Sequence, residues 1–404
     1  MKNISNWLNS CRFLFFTAIL AAGSTDLFAA TWPTNGKTVG SSSSTSNTTN
    51  LNDFKPTAPQ KDYALSWSTS LKADHSLDEL SNNKNEIELG LTLKFDLAFS
   101  PWMSMNLTPK IIAQNGYIQA PDSVDPAGSR IEIRNASLDL KPSNLFNFSV
   151  GSLDQRIYHE AIFMSRRSFP AARLVSRIGD EKKNHLYVFL ESAMPTSSSI
   201  SNNNADLGAT PSLNSAGLGF QLGADSVGYT IKSFVNAYQF AGLSRDLSTS
   251  SVFLGNSGVN SAGSNYLFKY DYQGFEASFE GKFHLTRPLA LGFFADGIEN
   301  TQAPTGKNLG WNLGGFVKYD FSRSFQVEPR FNYYHMESDA TVAVYNDSFI
   351  NTNREGYVSQ VKFYYNQKVQ LKISYGQRVP IVLNPSQPSE TWYGLGLETE
   401  NANF

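Results

Sequence analysis

Histidine and carboxylate side chains are the groups of this chain best suited to acid–base chemistry. His159 is followed directly by Glu160, and His335 lies near Glu337 and Asp339. Each of these sets could place a general base beside a substrate. A loop histidine is much more often simply solvated, and no HExxH spacing or GxSxG strand–turn–helix context occurs. We therefore expect no catalysis, no metal site and no cofactor.

The composition excludes several further classes of protein. Charged residues make up 17% of the chain, against roughly 25% in an ordinary soluble domain. A net charge of -2 offers no basic field for nucleic acid. The single cysteine, Cys11, lies in a segment predicted to be removed, which excludes disulfide frameworks and cysteine metal sites. The 13% aromatic content favours β structure.

The first thirty residues have the pattern of an export signal peptide. Lys2 and Arg12 supply positive charge, and residues 13–22 form an apolar segment shorter than the roughly twenty residues of a spanning helix. Cleavage is expected near Gly23 or Ala30. The alternative is a buried N-terminal helix of a cytosolic protein. The polar stretch 31–61 is predicted to be a flexible periplasmic leader, and 62–404 the folded domain.

Alternating segments follow the leader. In residues 85–99, seven apolar side chains from Ile87 to Phe99 occupy every second position and polar side chains lie between them, as in a strand with two different faces. Two hairpins, within 309–336 and 357–375, repeat this design. No later segment approaches eighteen consecutive apolar residues, so insertion into a membrane would have to use strands.

Sixteen strands can be placed, and short connections alternate with long ones along the chain. The segment 172–179 alternates poorly, so fourteen or eighteen strands remain alternatives. The segment 264–283 changes phase, which indicates a bulge at Gln273–Gly274 or a separate tight turn. The predicted strands are 62–72, 85–99, 102–114, 129–141, 145–155, 172–179, 184–193, 214–224, 228–240, 264–283, 288–298, 309–321, 324–337, 356–365, 368–378 and 390–399.

This pattern, from about Tyr63 to the terminal Phe404, resembles the bacterial general porins. The resemblance implies an all-β fold: a transmembrane antiparallel up-and-down β-barrel of the bacterial outer membrane. Short turns would face the periplasm, and longer loops the outside. It also implies contact with outer-membrane lipid and lipopolysaccharide, recognition of Phe404 by the barrel-insertion machinery, and a homotrimer as a family expectation.

A barrel of about sixteen strands leaves an aqueous lumen, so the expected function is a porin: a water-filled channel for passive diffusion of small hydrophilic solutes. The alternative is an adhesin or structural surface protein that acts through its extracellular loops. The third long loop, 156–171, is the one that the porins it resembles fold into the lumen.

Basic side chains suggest that such a channel would weakly prefer anions. The candidate constriction residues are Arg166, Arg167, Arg173 and Arg177. These arginines could instead be solvated on the outer face or bind lipopolysaccharide phosphates. The candidate pore-lining residues are Lys318, Glu328, Arg330, Lys362, Lys372 and Arg378.

Overall fold

The computed structural model describes residues 63–78, 83–118, 129–165, 167–180, 183–196, 210–260, 266–346, 350–399 and 402–403. The predicted signal peptide, the predicted leader, Arg166 and Phe404 lie outside the described residues.

Strands dominate the described residues, which also contain one α-helix, α1, at Arg245–Phe253. Single 3-10 turns occur at Gln155–Ile157 and Asp225–Val227. The strands are β1 Tyr63–Asp78, β2 Asn83–Ser100, β3 Met103–Ile118, β4 Arg130–Ser143, β5 Phe146–Asp154, β6 Ser168–Gly179, β7 His185–Ala193, β8 Ser212–Ala224, β9 Tyr229–Ala241, β10 Gly258–Asn260, β11 Tyr266–Phe268, β12 Gln273–His284, β13 Leu289–Asn300, β14 Leu309–Asp320, β15 Phe325–Met336, β16 Arg354–Tyr365, β17 Val369–Pro380, β18 Glu390–Thr399 and β19 Ala402–Asn403.

Sixteen of these strands form a closed antiparallel barrel. Each of β1 to β8 pairs with the next strand, β9 pairs with β12, and the series continues to β18. β18 pairs with β1 from Ser70↔Glu398 to Asp78↔Glu390, which closes the cylinder and leaves no free edge. The short β19 also pairs with β1. The predicted fold and the strand count of sixteen are confirmed.

The two irregular segments of the sequence have different outcomes. The poorly alternating 172–179 belongs to β6, which pairs with both β5 and β7. The prediction of one strand over 264–283 was wrong. The chain forms β11, which pairs with β10 outside the barrel wall, and then turns before β12 begins at Gln273. The separate turn, rather than a bulge, causes the change of phase.

The outer wall of the barrel is apolar. Leu89, Leu218 and Leu395 are each at least half exposed, whereas inward neighbours such as Glu88 are buried. Tyr319, one of the aromatic residues at the strand ends, packs edge to face on Phe321. An outer surface with so many exposed leucines is favourable in contact with lipid and unfavourable in contact with water. In the described part of the chain, no helix has the length and apolarity required to span a bilayer.

Connection length distinguishes the two ends of the barrel. At one end, called here the short-turn end, the strands are joined by two to five residues, for example at 101–102 and 366–368. At the other, the long-loop end, most connections are longer, and 242–272 contains α1, β10 and β11. The connection between β1 and β2 is an exception at 79–82, because both strands extend beyond their predicted ends.

Candidate pore and its inserted loop

The connection between β5 and β6, residues 155–167, folds into the barrel and is called here the inserted loop. It begins with a 3-10 turn, in which Arg156 N donates to the side chain of Asp154 over 2.9 Å. Ile162, Phe163 and Met164 follow, and none of the three has any solvent exposure. Three consecutive apolar side chains in a loop would be unstable in water, so their burial holds the loop against the inner wall.

A polar contact fixes the loop to the inner wall at β9 and β12. His159 Nδ1 lies 2.9 Å from Glu276 Oε2 on β12, and both side chains are fully buried. The other oxygen of Glu276 accepts the backbone N–H of Glu160. Asn236 Nδ2 on β9 lies 3.1 Å from His159 Nδ1. We call His159, Glu276 and Asn236 the latch, because they join the loop to two wall strands.

An apolar cluster continues from the loop across the long-loop end of the lumen. The ring of Phe163 lies 4.5 Å from that of Tyr238 on β9, measured between centroids. Phe240 stacks on Tyr345, which belongs to the connection 337–353. Ser165 N donates to Tyr345 O over 2.6 Å. The described members of this cluster on the wall come from β6 to β9, β13, β15 and β16.

The connections 242–272 and 337–353 pack together above this cluster and are called here the capping loops. Asn256 joins them: its Nδ2 donates to Ser338 O and Thr341 O over 2.6 and 2.8 Å, and its Oδ1 accepts Ala343 N over 2.8 Å. Gln387, from the connection between β17 and β18, donates to Leu254 O over 2.7 Å. The described parts of these loops therefore form a folded layer.

Packing within the lumen is uneven. The inserted loop and the cluster cover the long-loop half of the inner wall from β6 to β16. Of the described residues on β1 to β5, β17 and β18, only Trp392 packs against the cluster. We call the inner faces of β1 to β4, β17 and β18 the open wall. Among the described residues, this side of the long-loop half is the one that the cluster leaves uncovered.

Glutamates on the inner wall lie between pairs of basic residues. Glu88 Oε1 is 2.8 Å from Lys110 Nζ and 3.8 Å from Lys72 Nζ. The same arrangement occurs twice more among the described residues. The two further triads are Arg130–Glu132–Arg134 and Arg354–Glu390–Arg378. Each triad contains two cations and one carboxylate.

The six candidate pore-lining residues all lie on the inner face of β14 to β17. Lys362 lies 3.7 Å from Glu328 and directly opposite Lys372 in the sheet register. Arg330 lies over the ring of Phe294, with 4.7 Å between the guanidinium carbon and the ring centroid. Lys318 lies 6.0 Å from the ring of Tyr364, and Arg378 belongs to the triad of Glu390.

The candidate constriction arginines have structural contacts where they are described. Arg173 is buried on β6, pairs with Glu191 and donates to Asp154 O over 3.1 Å, at the start of the inserted loop. Because Glu191 neutralises it, Arg173 orders the loop rather than presenting a free charge. Arg167 donates to Ser165 Oγ over 3.1 Å, and Arg177 lies opposite Tyr187.

The candidate general bases lie beside carboxylates, His159 beside Glu276 and His335 beside Glu337 and Glu355. His159 is buried in the latch. His335 lies on the outer face, stacked on Trp311, with its Nδ1 3.0 Å from Glu355 Oε2. Asp339 is buried in the capping loops and accepts Ser257 N, away from His335. Among the described residues, no group of three or more His, Cys, Asp or Glu side chains could hold a metal ion.

The pairing of His159 with Glu276 could not be predicted from the sequence. Glu276 and His159 are 117 residues apart, and no local pattern joins them. The sequence does contain one indication that this loop is buried, the apolar run after His159 inside an otherwise polar connection. Such a run must pack against other apolar side chains.

Comparisons with known proteins identify the architecture. No protein-family model matches the chain, and no curated protein matches it. OprB of Pseudomonas putida superposes with a TM-score of 0.53 at 11% identity, covering 85% of this chain and 94% of OprB. OmpF of Salmonella typhi, in complex with daunomycin, gives 0.48 at 10% identity, covering 84% and 97%. OccAB4 of Acinetobacter baumannii gives 0.48 at 11%, covering 86% and 99%.

At these identities the likeness concerns the fold alone. The chain has the closed sixteen-stranded β-barrel architecture of bacterial outer-membrane porins and channels.

Proposed function

We propose that this protein is a porin of the bacterial outer membrane, which forms a water-filled channel for passive diffusion of small hydrophilic solutes. The observation that carries the proposal is the contrast between the walls of a closed sixteen-stranded barrel: the outside is apolar, and the inside holds charged triads. A barrel of this size is too wide to be filled by its own wall side chains. The inserted loop would then set the size limit by narrowing the passage to the open wall.

A liposome-swelling assay with sugars of increasing size tests this proposal. Liposomes containing the purified barrel should swell in small sugars and stop swelling above a size limit. Heat-modifiable migration on a detergent gel controls for correct folding. No swelling from a heat-modifiable preparation would contradict the porin proposal.

We propose a weak preference of this channel for anions. Its support is that each of the three triads holds two basic side chains and one carboxylate, whereas the carboxylates of Glu276 and Asp296 are buried on the covered side. The Lys72 side chain is 37% exposed, so its charge can act on a passing ion.

The reversal potential in a salt gradient across a planar bilayer measures this preference. Lys72→Met should shift it towards cation selectivity, and Lys269→Met, on the exposed capping loop, should leave it unchanged. A cation-selective wild type would contradict the proposal. Neutralising Arg166 together with Arg167 is a second, independent experiment. It tests whether that pair forms the proposed constriction.

A second candidate function is an adhesin or structural surface protein. The folded layer of the capping loops favours it, because a fixed outer surface can bind a partner without prior ordering. The measurement that separates the two is conduction: an inserted barrel that passes no ions supports the adhesin.

Further proposals rest on the sequence and on its resemblance to general porins. Residues 1–30 would direct export, and 31–61 would form a periplasmic leader. Phe404 would be read by the insertion machinery, and the apolar wall would contact lipid and lipopolysaccharide. The homotrimer remains an expectation from the resemblance to general porins.

A further inference from the structure

A polar pocket lies inside the short-turn end of the barrel, away from the inserted loop and the triads. It encloses about 190 Å³ between the ends of β12, β13, β14 and β15. Ala290 on β13 forms a small floor, because its register partners, His284 on β12 and Lys318 on β14, carry longer side chains on either side. The other lining residues are Asp225, Lys282, Pro288, Asp320, Gln326 and Gln367.

Two charges in this pocket neutralise each other. Lys282 Nζ donates to Asp225 Oδ2 over 2.7 Å. Two other charges lack a partner among the described residues. Lys318 forms no ion pair there, and its ammonium lies only near the ring of Tyr364. Asp320 Oδ1 is buried without a hydrogen-bond partner.

The unpartnered groups lie close together on one strand. Lys318 and Asp320 are two positions apart on β14 and share its inner face, so their Cα atoms are about 6.6 Å apart. They nevertheless form no ion pair with each other. His284 Nε2, on the other side of Ala290, is also buried without a hydrogen bond and lies 3.7 Å from Asp225 Oδ1. Buried polar atoms without partners are costly, so a ligand or water must satisfy them.

We propose that this pocket binds a small zwitterion, of the class of the short-chain α-amino acids. The ligand carboxylate would accept hydrogen bonds from Lys318 and His284, and its ammonium would donate to Asp320. The pocket contains equal numbers of fixed lysine and aspartate charges, so a ligand without net charge leaves the site neutral. Its volume equals that of roughly six water molecules at ~30 Å³ each, which suits glycine, alanine or serine.

Isothermal titration of the detergent-purified barrel with glycine tests this inference directly. Binding in detergent does not require conduction. Absence of glycine binding would therefore contradict this inference without contradicting the porin proposal. Wild type should bind glycine saturably, whereas acetate and methylammonium, which each carry one of the two charges, should bind at least about tenfold more weakly.

Matched variants locate the site. Lys318→Met and Asp320→Asn should each weaken glycine binding by about tenfold or more, because each removes a charged partner. Lys269→Met and Asp271→Asn make the same changes on the exposed capping loop and should bind like wild type. Heat-modifiable migration confirms the fold of every variant.

Three results would overturn the proposal. They are no saturable binding of glycine by wild type, unchanged glycine binding in the two pocket variants relative to their controls, and binding of acetate as tight as that of glycine. Equal binding of acetate would make the pocket a simple anion site instead.

Discussion

His159 on the inserted loop and Glu276 on β12 form a fully buried pair, with 2.9 Å between Nδ1 and Oε2, and they join the loop between β5 and β6 to the wall at β12. The same carboxylate accepts the next backbone amide of the loop. One side chain thus fixes both the position and the direction of the loop within the lumen.

Glu276→Gln should release the inserted loop, because an amide group cannot accept from both His159 and Glu160 N as the carboxylate does. Met164→Cys, in a Cys11→Ser background, reports the release, since Met164 is fully buried in the closed loop. A water-soluble thiol reagent should label this cysteine about tenfold faster in the variant, as expected for the loss of a charge-assisted hydrogen bond.

Glu280→Gln is the matched control for this latch experiment, because Glu280 lies on the same strand and the same face, four residues further along. It should leave the labelling rate unchanged. Equal rates in the Glu276 and Glu280 variants would show that the latch does not hold the loop.

Asn256→Ala should loosen the capping loops. The change leaves the carbonyls of Ser338 and Thr341 and the amide of Ala343 without their partner, at a cost of about 1–3 kcal/mol for each buried group that water cannot reach. Hydrogen exchange at the Ala343 amide should accelerate. Asn260→Ala, at the exposed end of β10, should not alter it, and unchanged exchange in the Asn256 variant would contradict the assigned role.

Glu390→Gln should destabilise the barrel, because it leaves Arg354 and Arg378 without their common carboxylate and Arg354 is nearly fully buried. Removing one partner of a buried ion pair typically costs about 3–5 kcal/mol. The measurement is the urea midpoint of unfolding in detergent. Glu398→Gln, on the same strand and face, is the control, and equal midpoints would argue against the triad as a structural element.

Asp225 at the short-turn end should titrate below the ordinary range of an aspartate. Burial alone would raise its pKa, but the hydrogen bond and positive charge of Lys282 outweigh burial and lower the pKa. The pair therefore stabilises the fold above the ordinary aspartate pKa, and this contribution is lost as the pH falls through the lowered value. A carboxyl NMR titration should show the lowered midpoint, and Lys282→Met should raise it; a midpoint independent of Lys282 would contradict this cause.

The barrel could be predicted from the sequence because apolar and polar side chains alternate along each strand of its wall. The seven apolar positions from Ile87 to Phe99 define one strand face whatever its partners are. The interior could not be predicted, because its contacts join connections far apart in the chain. Asn256 donates to Thr341 O, 85 residues further along the chain, and no pattern in either segment indicates the other as its partner. Arg173 shows the same limit: its inward position follows from its strand, but its neutralisation depends on Glu191 of β7.

Single-channel recording in a planar bilayer tests the central claim, that the barrel encloses an open passage beside the inserted loop. The purified, heat-modifiable wild-type protein should produce discrete conductance steps, and Glu276→Gln should produce larger or noisier steps than Glu280→Gln. A bilayer that contains verified folded barrels but shows no conductance steps would contradict the claim.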